Sequence, residues 1–430
     1  MKVVIIGGGS TYTPELFQGL LDSHAHLPVK EMVLFDIDSD RLEKVGRFCR
    51  IMLDKNSGKF ALTLSTDIEP ALRNADFVIF QLRVGGQAAR HRDIKLGCDL
   101  GIIGQETTGI GGFAKAMRTI PVVLDYCRKI KAYAKADCKV INFTNPSGIV
   151  TQAISDNTDL TVIGLCNVPI ILQKQSSELL QAPFSELYFD YVGLNHLGWL
   201  RGVYHRGANR IDELVDHLAN DPELFRAANH SAIDSSLVRS LRMIPSPYLQ
   251  YFYYTDQMYA KIRSAEQTRA QVVMELDEKI LAHFSTDTSG TLPADMQGRG
   301  GELYSYAAVQ VMSAIHNNSQ NLQIVNIRNG TAIPTLAPDD IIEVPAVIHQ
   351  RGASPVAIGD VELSILGLIQ TVKAYERLTV KAAIYRQYDD ALFALFNNPL
   401  VKDLAHSKLC LDTLMERERV ELLEGHVYAY

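Results

Sequence analysis

Two side chains that can bind a metal or take part in nucleophilic chemistry each close an apolar run of the sequence. Cys166 ends the run TVIGLC and precedes Asn-Val-Pro, and His196 follows the apolar run in VGLNHLGW. A lone buried cysteine is most often core packing, whereas a nucleophilic cysteine needs a base that generates the thiolate. A lone histidine is likewise most often structural. Because both residue types also bind metals, packing, nucleophile and metal ligand all stay open for Cys166.

The amino terminus carries a glycine-rich turn typical of dinucleotide binding. IIGGGSTYTPE follows an apolar run and opens a helical pattern, with Thr13 expected at the N-cap and Pro14 at the first helical position. The third glycine of the usual fingerprint is replaced by Tyr12. The backbone of this turn can approach a pyrophosphate at the helix N-terminus. We expect four of its residues to contact the cofactor: Gly7, Gly9, Ser10 and Thr11.

An acidic residue strengthens this prediction. Asp36 ends the second apolar run, in VLFDID. An acid at this place can hydrogen-bond a ribose 2′-hydroxyl and disfavours a 2′-phosphate, so NAD is expected rather than NADP. The alternative is a tight turn beside an unrelated acid.

Apolar runs of strand length alternate with helical patterns over the first 166 residues. The runs are KVVII, MVLF, FALTLS, DFVIFQL, KVINFT and TVIGL. This alternation predicts an α/β fold with a parallel sheet covered by helices on both faces. The segment 83–112 is polar and glycine-rich. We expect it to be a long functional loop at the carboxyl edge of the sheet.

Beyond residue 166 the pattern becomes α+β. A strand-like section around YFDYVGLNHLGWLRGVYH precedes helical patterns, and a second apolar strand group precedes a carboxy-terminal helical block. The sequence therefore predicts two domains. Residues 1–166 form a Rossmann-like domain that binds NAD, and residues 167–430 form an α+β domain for substrate, metal and oligomer contacts.

Composition argues against several classes of function. The chain has 430 residues, of which 47% are hydrophobic and 21% charged, and its formal net charge is −7. This charge gives no general reason to bind nucleic acid or an anionic membrane surface, so local arginines must hold any anionic ligand. No apolar run is long enough to span a membrane, and the amino terminus lacks a signal-peptide pattern. Six scattered cysteines suit a reducing compartment, and we expect a cytoplasmic protein.

Eight short motifs occur in the same order as in one known family. They are GGGST, RVGG, GQET-x-G-x-GG, TNPSG, GLCNVP, GLNHLGW, SPYLQYFY and RGGE. On these motifs the sequence resembles glycoside hydrolase family 4 over nearly its whole length, and its CNVP form is similar to the 6-phospho-β-glucosidases of that family. The resemblance implies NAD as a cofactor. It also implies that Cys166 and His196 are ligands of a divalent metal, usually Mn²⁺.

The resemblance further implies a reaction unlike ordinary glycoside hydrolysis between two carboxylates. NAD⁺ takes hydride from C3 of the sugar, a base removes the C2 proton, the aglycone leaves by elimination, and water adds at C1 before the steps reverse. By the resemblance, Tyr248 is the base and Glu106 is the acid that tunes it. Tyr251, Tyr253 and Tyr254 lie alongside, and most aromatic residues in such a stretch simply pack.

The resemblance assigns the sugar phosphate to a few polar side chains. Arg90 and Arg269 match positions that contact the phosphate, since arginine forks fit phosphate oxygens. Asn145 matches a position that holds sugar or phosphate oxygens. Asn167 stands where members specific for α-linked substrates have an aspartate that protonates the leaving oxygen. The resemblance thus implies a β-linked substrate, such as cellobiose 6-phosphate or an aryl β-glucoside 6-phosphate, and a homodimer or homotetramer.

Two other functions fit parts of the same pattern. A Rossmann half followed by an α+β half also resembles the lactate and malate dehydrogenase superfamily, in which His196 would relay a proton and Arg83 or Arg90 would clamp a hydroxy acid. This alternative, an NAD-dependent 2-hydroxy acid dehydrogenase, gives Cys166 no role and should accumulate NADH. A noncatalytic NAD or sugar-phosphate sensor would instead bind a phosphosugar tightly without turnover.

Overall fold

A parallel sheet with Rossmann strand order forms the centre of the molecule. The computed structural model describes residues 1–221, 232–296 and 303–418. The strands in these ranges are β1 (Lys2–Ile6), β2 (Glu31–Phe35), β3 (Ala61–Ser65), β4 (Phe77–Phe80), β5 (Lys139–Asn142), β6 (Thr161–Gly164), β7 (Leu187–Leu194), β8 (Leu197–His205), β9 (Ala208–Asn209), β10 (Ile244–Pro245), β11 (Leu322–Arg328), β12 (Ile341–His349) and β13 (Gly352–Pro355). The first six pair in parallel in the order β3-β2-β1-β4-β5-β6. The predicted Rossmann-like α/β fold is therefore confirmed.

Each of the six predicted apolar runs forms one of these parallel strands. The side chains of β1 alternate between the faces of the sheet. Val3 and Ile5 join one apolar cluster, and Val4 and Ile6 join the other. Because helices cover both clusters, the strand reads as a continuous apolar run.

Helices pack on both faces of the sheet and around the second half of the chain. They are α1 (Thr13–Asp22), α2 (Ser39–Lys55), α3 (Ile68–Leu72), α4 (Gly86–Asp99), α5 (Ile110–Tyr133), α6 (Ser147–Asn157), α7 (Asn167–Leu179), α8 (Ile211–Asn220), α9 (Ser235–Leu241), α10 (Gln250–Tyr253), α11 (Thr255–Ser264), α12 (Arg269–Thr286), α13 (Tyr304–Asn317), α14 (Leu363–Tyr385), α15 (Tyr388–Phe396) and α16 (Leu404–Glu418), with 3₁₀ turns at Phe184–Glu186 and Pro247–Leu249. Tyr12, not Thr13, occupies the N-cap position of α1. None of the helices in the described ranges combines the length and hydrophobicity that crossing a bilayer requires.

The segment 83–112, expected to be a loop throughout, contains the helix α4, so that expectation was wrong. The buried face of α4 includes Asp93 and Gly97, which hide the apolar periodicity of the helix. Asp93 is buried because Arg118 of α5 binds it through contacts of 3.0 and 2.7 Å. Gly97 is buried because the backbone of Gly104 lies against it.

The second half contains an antiparallel hairpin. β7 and β8 pair up to Leu194↔Leu197, so Asn195 and His196 form the turn. His196 has a φ of 62°, in the left-handed region that is uncommon for residues other than glycine. The fully buried Trp199 of β8 belongs to the largest apolar cluster, which lies between the hairpin, α5 and α14. This packing fixes the turn.

Three strands of the second half extend the first sheet. β11 pairs antiparallel with β6 and with β12, and β12 pairs with β13. The contact between β11 and β6 is the pair Asn326↔Gly164. The two halves of the chain therefore share one sheet. The domain division at residue 166 stays a prediction.

The close approach of α4 to the following turn gives a test of this packing. A β-carbon on Gly97 would lie 2.3 Å from the backbone of Gly104, whereas nothing lies within 4 Å of one on Gly367 of α14. We expect Gly97→Ala to lower the free energy of unfolding by about 1–3 kcal/mol through overpacking. The control, Gly367→Ala, should raise it by about 0.5–1 kcal/mol because alanine favours the helix. Urea denaturation measures both values, and equal stability of the two variants would contradict the packing.

Candidate active site

The glycine turn after β1 lies at the carboxyl edge of the sheet, beside the end of β4. The N–H groups of Gly7 and Gly8 donate to the carbonyl oxygen of Phe35 at 3.0 and 2.8 Å. Gly7 has a φ of 93°, and a β-carbon there would lie 2.9 Å from the backbone oxygen of Gln81. Any other residue would be both strained and crowded at this position. The turn occupies the edge at which open α/β folds bind ligands.

Asp36 connects the end of β2 to the glycine turn. Its Oδ2 accepts the N–H of Gly9 at 2.8 Å, and its Oδ1 accepts the N–H of Asp38 at 3.0 Å. The next residue, Ile37, is 83% exposed. An acid and an exposed apolar side chain therefore lie side by side where the ribose and base of a dinucleotide bind in Rossmann folds.

The remaining two predicted cofactor residues differ in their surroundings. Ser10 is half-buried, and its hydroxyl accepts the N–H of Tyr12 at 3.3 Å. Thr11 is fully buried, and its hydroxyl donates to Asp277 of α12 at 2.7 Å. The Thr11 side chain therefore fastens the turn to α12.

A buried carboxylate gathers three cations near the ends of β4, α4 and α5. Glu106 is 7% exposed, and its Oε1 lies 2.8 Å from Nη2 of Arg90. Its Oε2 lies 3.0 Å from Nζ of Lys115 and also accepts a hydrogen bond from Arg83. We call these four residues the Glu106 cluster. It carries a net charge of +2 when all four groups are ionised, and such a surplus attracts anions.

Burial and charge act in opposite directions on the Glu106 cluster. Burial disfavours the ionised carboxyl, but Arg83, Lys115 and Arg90 together hold the pKa of Glu106 well below its usual range. Burial, followed by the charge of Arg83, lowers the pKa of Lys115 to about 7. Glu106 therefore stays ionised across the physiological range, whereas Lys115 exchanges its proton near neutrality.

Cys166, His196 and Tyr248 share one neighbourhood. Cys166 is the N-cap of α7, directly after β6, and its Sγ accepts the N–H of Val168 at 3.5 Å. The His196 ring stacks on the Tyr248 ring, with centroids 3.7 Å apart and planes inclined by 10°. Burial, and then the charge of a Cys166 thiolate, raise the pKa of Tyr248. Tyr248 therefore lies near both predicted metal ligands.

The chemistry of Cys166 and His196 fits a divalent metal. Burial lowers the pKa of His196 to about 3, so its imidazole is neutral, which is the form that binds metals. Burial, and then the charge of Glu343, raise the pKa of the Cys166 thiol, so a nearby cation is needed to hold the thiolate. In the part of the chain that the structure describes, no group of three or more His, Cys, Asp and Glu residues could hold a metal. An ion on these two side chains would keep positions for water and substrate oxygens.

Tyr248 differs from the three tyrosines beside it. The Tyr251 ring lies 6.2 Å from the Tyr248 ring, and burial raises the pKa of Tyr251 to about 12. Tyr253 and Tyr254, like Tyr248, pack against the largest apolar cluster. Of the four rings, that of Tyr248 is the one stacked on His196.

The predicted substrate residues lie on neighbouring elements. Arg90 belongs to the Glu106 cluster, and Arg269 is the first residue of α12. The pKa of Arg90 is lowered mainly by burial, and the charge of Arg269 adds to this effect. Asn145 precedes α6, and its Oδ1 accepts the N–H of Ser147 at 3.3 Å. Asn167 opens α7, next to Cys166.

Sequence reasoning missed part of this site. Arg83 was given a role only in the dehydrogenase alternative. Its position just after β4 could have indicated a site residue, because ligands bind at the carboxyl ends of such strands. Lys115 lies in an apolar stretch of α5 and is 2% exposed; a lysine so placed is seldom buried without a partner. Tyr304 hydrogen-bonds the Asn145 side chain, and no motif pointed to it. The RGGE motif, at residues 299–302, lies outside the described residues.

Two family models match this sequence and together span most of it. Residues 2–182 match the family 4 glycosyl hydrolase model, and residues 191–401 match that of the family 4 glycosyl hydrolase C-terminal domain. The chain belongs to glycosyl hydrolase family 4. The resemblance seen in the motifs is therefore confirmed, and the roles of single site residues stay predictions.

Several named enzymes are similar to this chain over nearly its full length. A 6-phospho-β-glucosidase of Escherichia coli is 35% identical, covering 93% of this chain and 91% of the relative. A 6-phospho-β-glucosidase of Thermotoga maritima is 32% identical, covering 97% and 99%. Its structure with NAD and glucose 6-phosphate superposes with a TM-score of 0.91, covering 99% of this chain and 100% of that one. A second structure of that enzyme, 31% identical with the same coverage and a TM-score of 0.90, holds manganese, NAD⁺ and glucose 6-phosphate.

Two dehydrogenases of low sequence identity share the fold of this family 4 protein. A lactate dehydrogenase from a deep-sea metagenome library is 14% identical with a TM-score of 0.54, covering 89% of this chain and 99% of that one. The malate dehydrogenase of Plasmodium falciparum is 11% identical with a TM-score of 0.55, covering 89% and 98%. At these identities the likeness concerns the fold alone, and it confirms the predicted dehydrogenase-like architecture.

The lowered pKa of Lys115 predicts a stability that depends on pH. Between pH 7 and 9 the folded lysine loses its proton while the unfolded lysine, with a pKa near 10.5, keeps it. Because the unfolded state then binds more protons, the free energy of unfolding rises with pH. We expect the wild type to gain on the order of 1–2 kcal/mol over Lys115→Met between these pH values, measured by urea denaturation.

A surface lysine provides the control for this titration. Lys129 is only partly covered, and its bond to Asp125 raises its pKa. The wild type should therefore not gain stability over Lys129→Met between pH 7 and 9. If the difference in unfolding free energy between the wild type and Lys115→Met stayed constant or became smaller from pH 7 to pH 9, this result would contradict the lowered pKa of Lys115.

Proposed function

We propose that this family 4 protein hydrolyses 6-phospho-β-glucosides. The observation that carries the proposal is the stacking of Tyr248 on His196 near Cys166. It brings a proton acceptor to two metal-binding side chains, on a fold whose glycine turn suits a dinucleotide. Relatives named 6-phospho-β-glucosidases, which match nearly the whole chain, support the same reaction.

Two cofactors fit the residues present. The proposed NAD site consists of Gly7, Gly9, Ser10, Thr11 and Asp36, and the proposed metal ligands are Cys166 and His196, with Mn²⁺ the expected ion. When bound, NAD⁺ accepts hydride from C3 of the sugar, and the metal polarises the C3 oxygen and supplies positive charge that favours a phenolate. The exposed side chain of Ile37 offers an apolar contact for the base of the dinucleotide.

Tyr248 is proposed to accept the C2 proton, after which the aglycone leaves by elimination and water adds at C1. A proton then returns to C2 and the C3 ketone is reduced again, so the cofactor ends as NAD⁺. The pKa of Tyr248 is raised by burial and by the charges of Cys166, Tyr251 and Glu106, while Arg90 lowers it. The Glu106 carboxylate alone would therefore oppose ionisation of the phenol. Because it also holds Arg90 in place, Glu106 tunes Tyr248 through the cations that it gathers.

The sugar phosphate is proposed to bind Arg90 and Arg269, with Asn145 holding further oxygens. The net positive charge of the Glu106 cluster supports this assignment. Because its one carboxylate does not balance the three cations, the cluster can attract a further anion. Arginine forks also match phosphate oxygens in shape.

Asn167 supports a β-linked substrate. It directly follows the proposed ligand Cys166. A carboxylic acid at this place could protonate the leaving oxygen of an α-linked substrate, whereas a side-chain amide has no acidic proton to give. The aglycone is therefore proposed to leave without a protein acid at this position.

We further propose a cytoplasmic homodimer or homotetramer. All six cysteines, which lie in the described ranges, are free, and free thiols suit a reducing compartment. Exposed apolar side chains on the carboxy-terminal helices support self-association. They are Tyr385, Phe393, Phe396, Leu404 and Leu409.

A chromogenic assay tests the reaction. We expect p-nitrophenyl β-D-glucoside 6-phosphate to release nitrophenol in the presence of NAD⁺, Mn²⁺ and a thiol reductant, without net NADH. The α-anomer and the unphosphorylated β-glucoside should give none. Cys166→Ser should lose both this activity and Mn²⁺ binding, because a hydroxyl replaces the thiolate ligand.

The same assay separates the proposal from its alternatives. NADH accumulation with a 2-hydroxy acid and no nitrophenol from any glucoside would favour the dehydrogenase. Tight phosphosugar binding without turnover would favour a sensor. Full activity of Cys166→Ser would leave the glycosidase standing and remove Cys166 from the metal site.

The role of Tyr248 is tested separately from substrate binding. Tyr248→Phe should lower kcat by about 10²–10⁴-fold, because a general base is lost, and should abolish deuterium exchange at C2 in D₂O. Tyr253→Phe removes a hydroxyl from the same tyrosine-rich stretch and should leave both readouts near the wild-type values. C2 exchange that persists in Tyr248→Phe would show that another group is the base.

A further inference from the structure

Glu343 is a buried carboxylate that the proposed reaction does not use. It lies on β12, opposite Asn326 of β11, and is 1% exposed. Its Oε1 accepts the side-chain amides of Asn195 at 3.1 Å and Asn326 at 2.8 Å, and its Oε2 accepts the Tyr191 hydroxyl at 3.2 Å. Burying an ionisable group is costly unless its polar atoms are hydrogen-bonded. The three donors meet this need and fix the orientation of the carboxylate.

Two of these donors lead to the proposed metal ligands. Asn195 precedes His196 in the hairpin turn, and its side chain also donates a hydrogen bond to the Cys166 sulfur. Asn326 pairs with Gly164, two residues before Cys166, and its amide lies 3.4 Å from the Gly164 carbonyl oxygen. The Glu343 carboxylate is therefore connected through the Asn195 amide to the turn that carries His196. Through the Asn326 amide it is connected to the end of β6, just before Cys166.

The third donor, Tyr191, lies on a strand that carries neither of the proposed metal ligands. Tyr191 belongs to β7 and is 1% exposed. Its hydroxyl bonds the other oxygen of the carboxylate. Among the hydrogen bonds of the described residues, none joins Tyr191 to Cys166 or His196. It therefore offers a matched comparison for Asn195, since each contributes one hydrogen bond to Glu343.

We propose that Glu343 is a positioning residue for the metal site, which holds the Asn195–His196 turn and the end of β6 at the separation that lets Cys166 and His196 bind one ion. The inference rests on the proposed function, because it takes these two side chains as the ligands. They come from different elements, the start of α7 and the turn between β7 and β8. Glu343 bonds Asn195 in that turn and, through Asn326, is connected to the end of β6 just before Cys166. Partners behind the ligands of a metal site commonly orient them.

Calorimetric titration of the full-length protein with Mn²⁺ alone tests this role. We expect Asn195→Ala and Glu343→Leu to raise the Kd for Mn²⁺ by about 10–100-fold. Tyr191→Phe, which removes a comparable hydrogen bond, should leave the Kd near the wild-type value. Glu343→Gln should largely restore affinity, since its amide oxygen can accept both asparagine amides. NAD binding, measured on the same samples, should be unchanged in all four variants because the glycine turn lies on other elements.

The outcomes distinguish this inference from the proposed function. If Cys166→Ser abolishes Mn²⁺ binding while Asn195→Ala and Glu343→Leu bind as the wild type does, the positioning role is wrong and the metal site stands. If Tyr191→Phe weakens binding as much as Asn195→Ala, the effect is general loss of packing and the inference fails. If Cys166→Ser binds Mn²⁺ normally, the proposed metal site itself is wrong. Should Glu343→Leu fail to fold, the pair Asn195→Ala and Tyr191→Phe carries the test.

Discussion

One ionised carboxylate, that of Glu106, allows three cations to share a buried corner of the molecule. Arg83 follows β4, Arg90 belongs to α4 and Lys115 to α5, so the carboxylate also joins three elements of the first half. Without it, like charges would repel one another in a medium that screens them poorly. Breaking a buried ion pair by removing one partner typically costs about 3–5 kcal/mol. The arrangement is therefore both a structural joint and the source of the local positive charge.

A second buried carboxylate, Glu343, is held differently and serves a different purpose. Within residues 1–221, 232–296 and 303–418, its hydrogen-bond partners are neutral amides and a hydroxyl, and no cation pairs with it. Burial raises the pKa of Glu343 to about 7, whereas cations keep the pKa of Glu106 well below the usual range. The pKa values of these two buried carboxylates thus differ because their partners differ. In the roles proposed above, Glu106 shapes the charge around the sugar phosphate, and Glu343 positions the ligands of the metal.

Local sequence signals predicted the first half of the fold, because strands buried on both faces leave continuous apolar runs. They also marked the glycine turn, Asp36, Cys166 and His196 as candidates, whereas the family resemblance supplied the other candidate site residues. The same logic failed for α4, where Asp93 and Gly97 occupy buried positions through contacts with residues that follow the helix. The convergence of Cys166, His196 and Tyr248 depends on pairing between distant strands, so only the family resemblance suggested it. No local pattern in the sequence marked Glu343, because the side-chain amides that it binds, those of Asn195 and Asn326, lie 148 and 17 residues away along the chain.

The antiparallel addition of β11 to β6 has a consequence for how the chain is made. Without β11, β6 would end the parallel sheet as an open edge, and such edges pair readily with other chains. The residue that closes this edge lies 162 positions further along the chain. During synthesis the nascent first half therefore carries an unprotected strand until much of the second half has left the ribosome. Resistance to aggregation is thus a property of the completed polypeptide rather than of its first half.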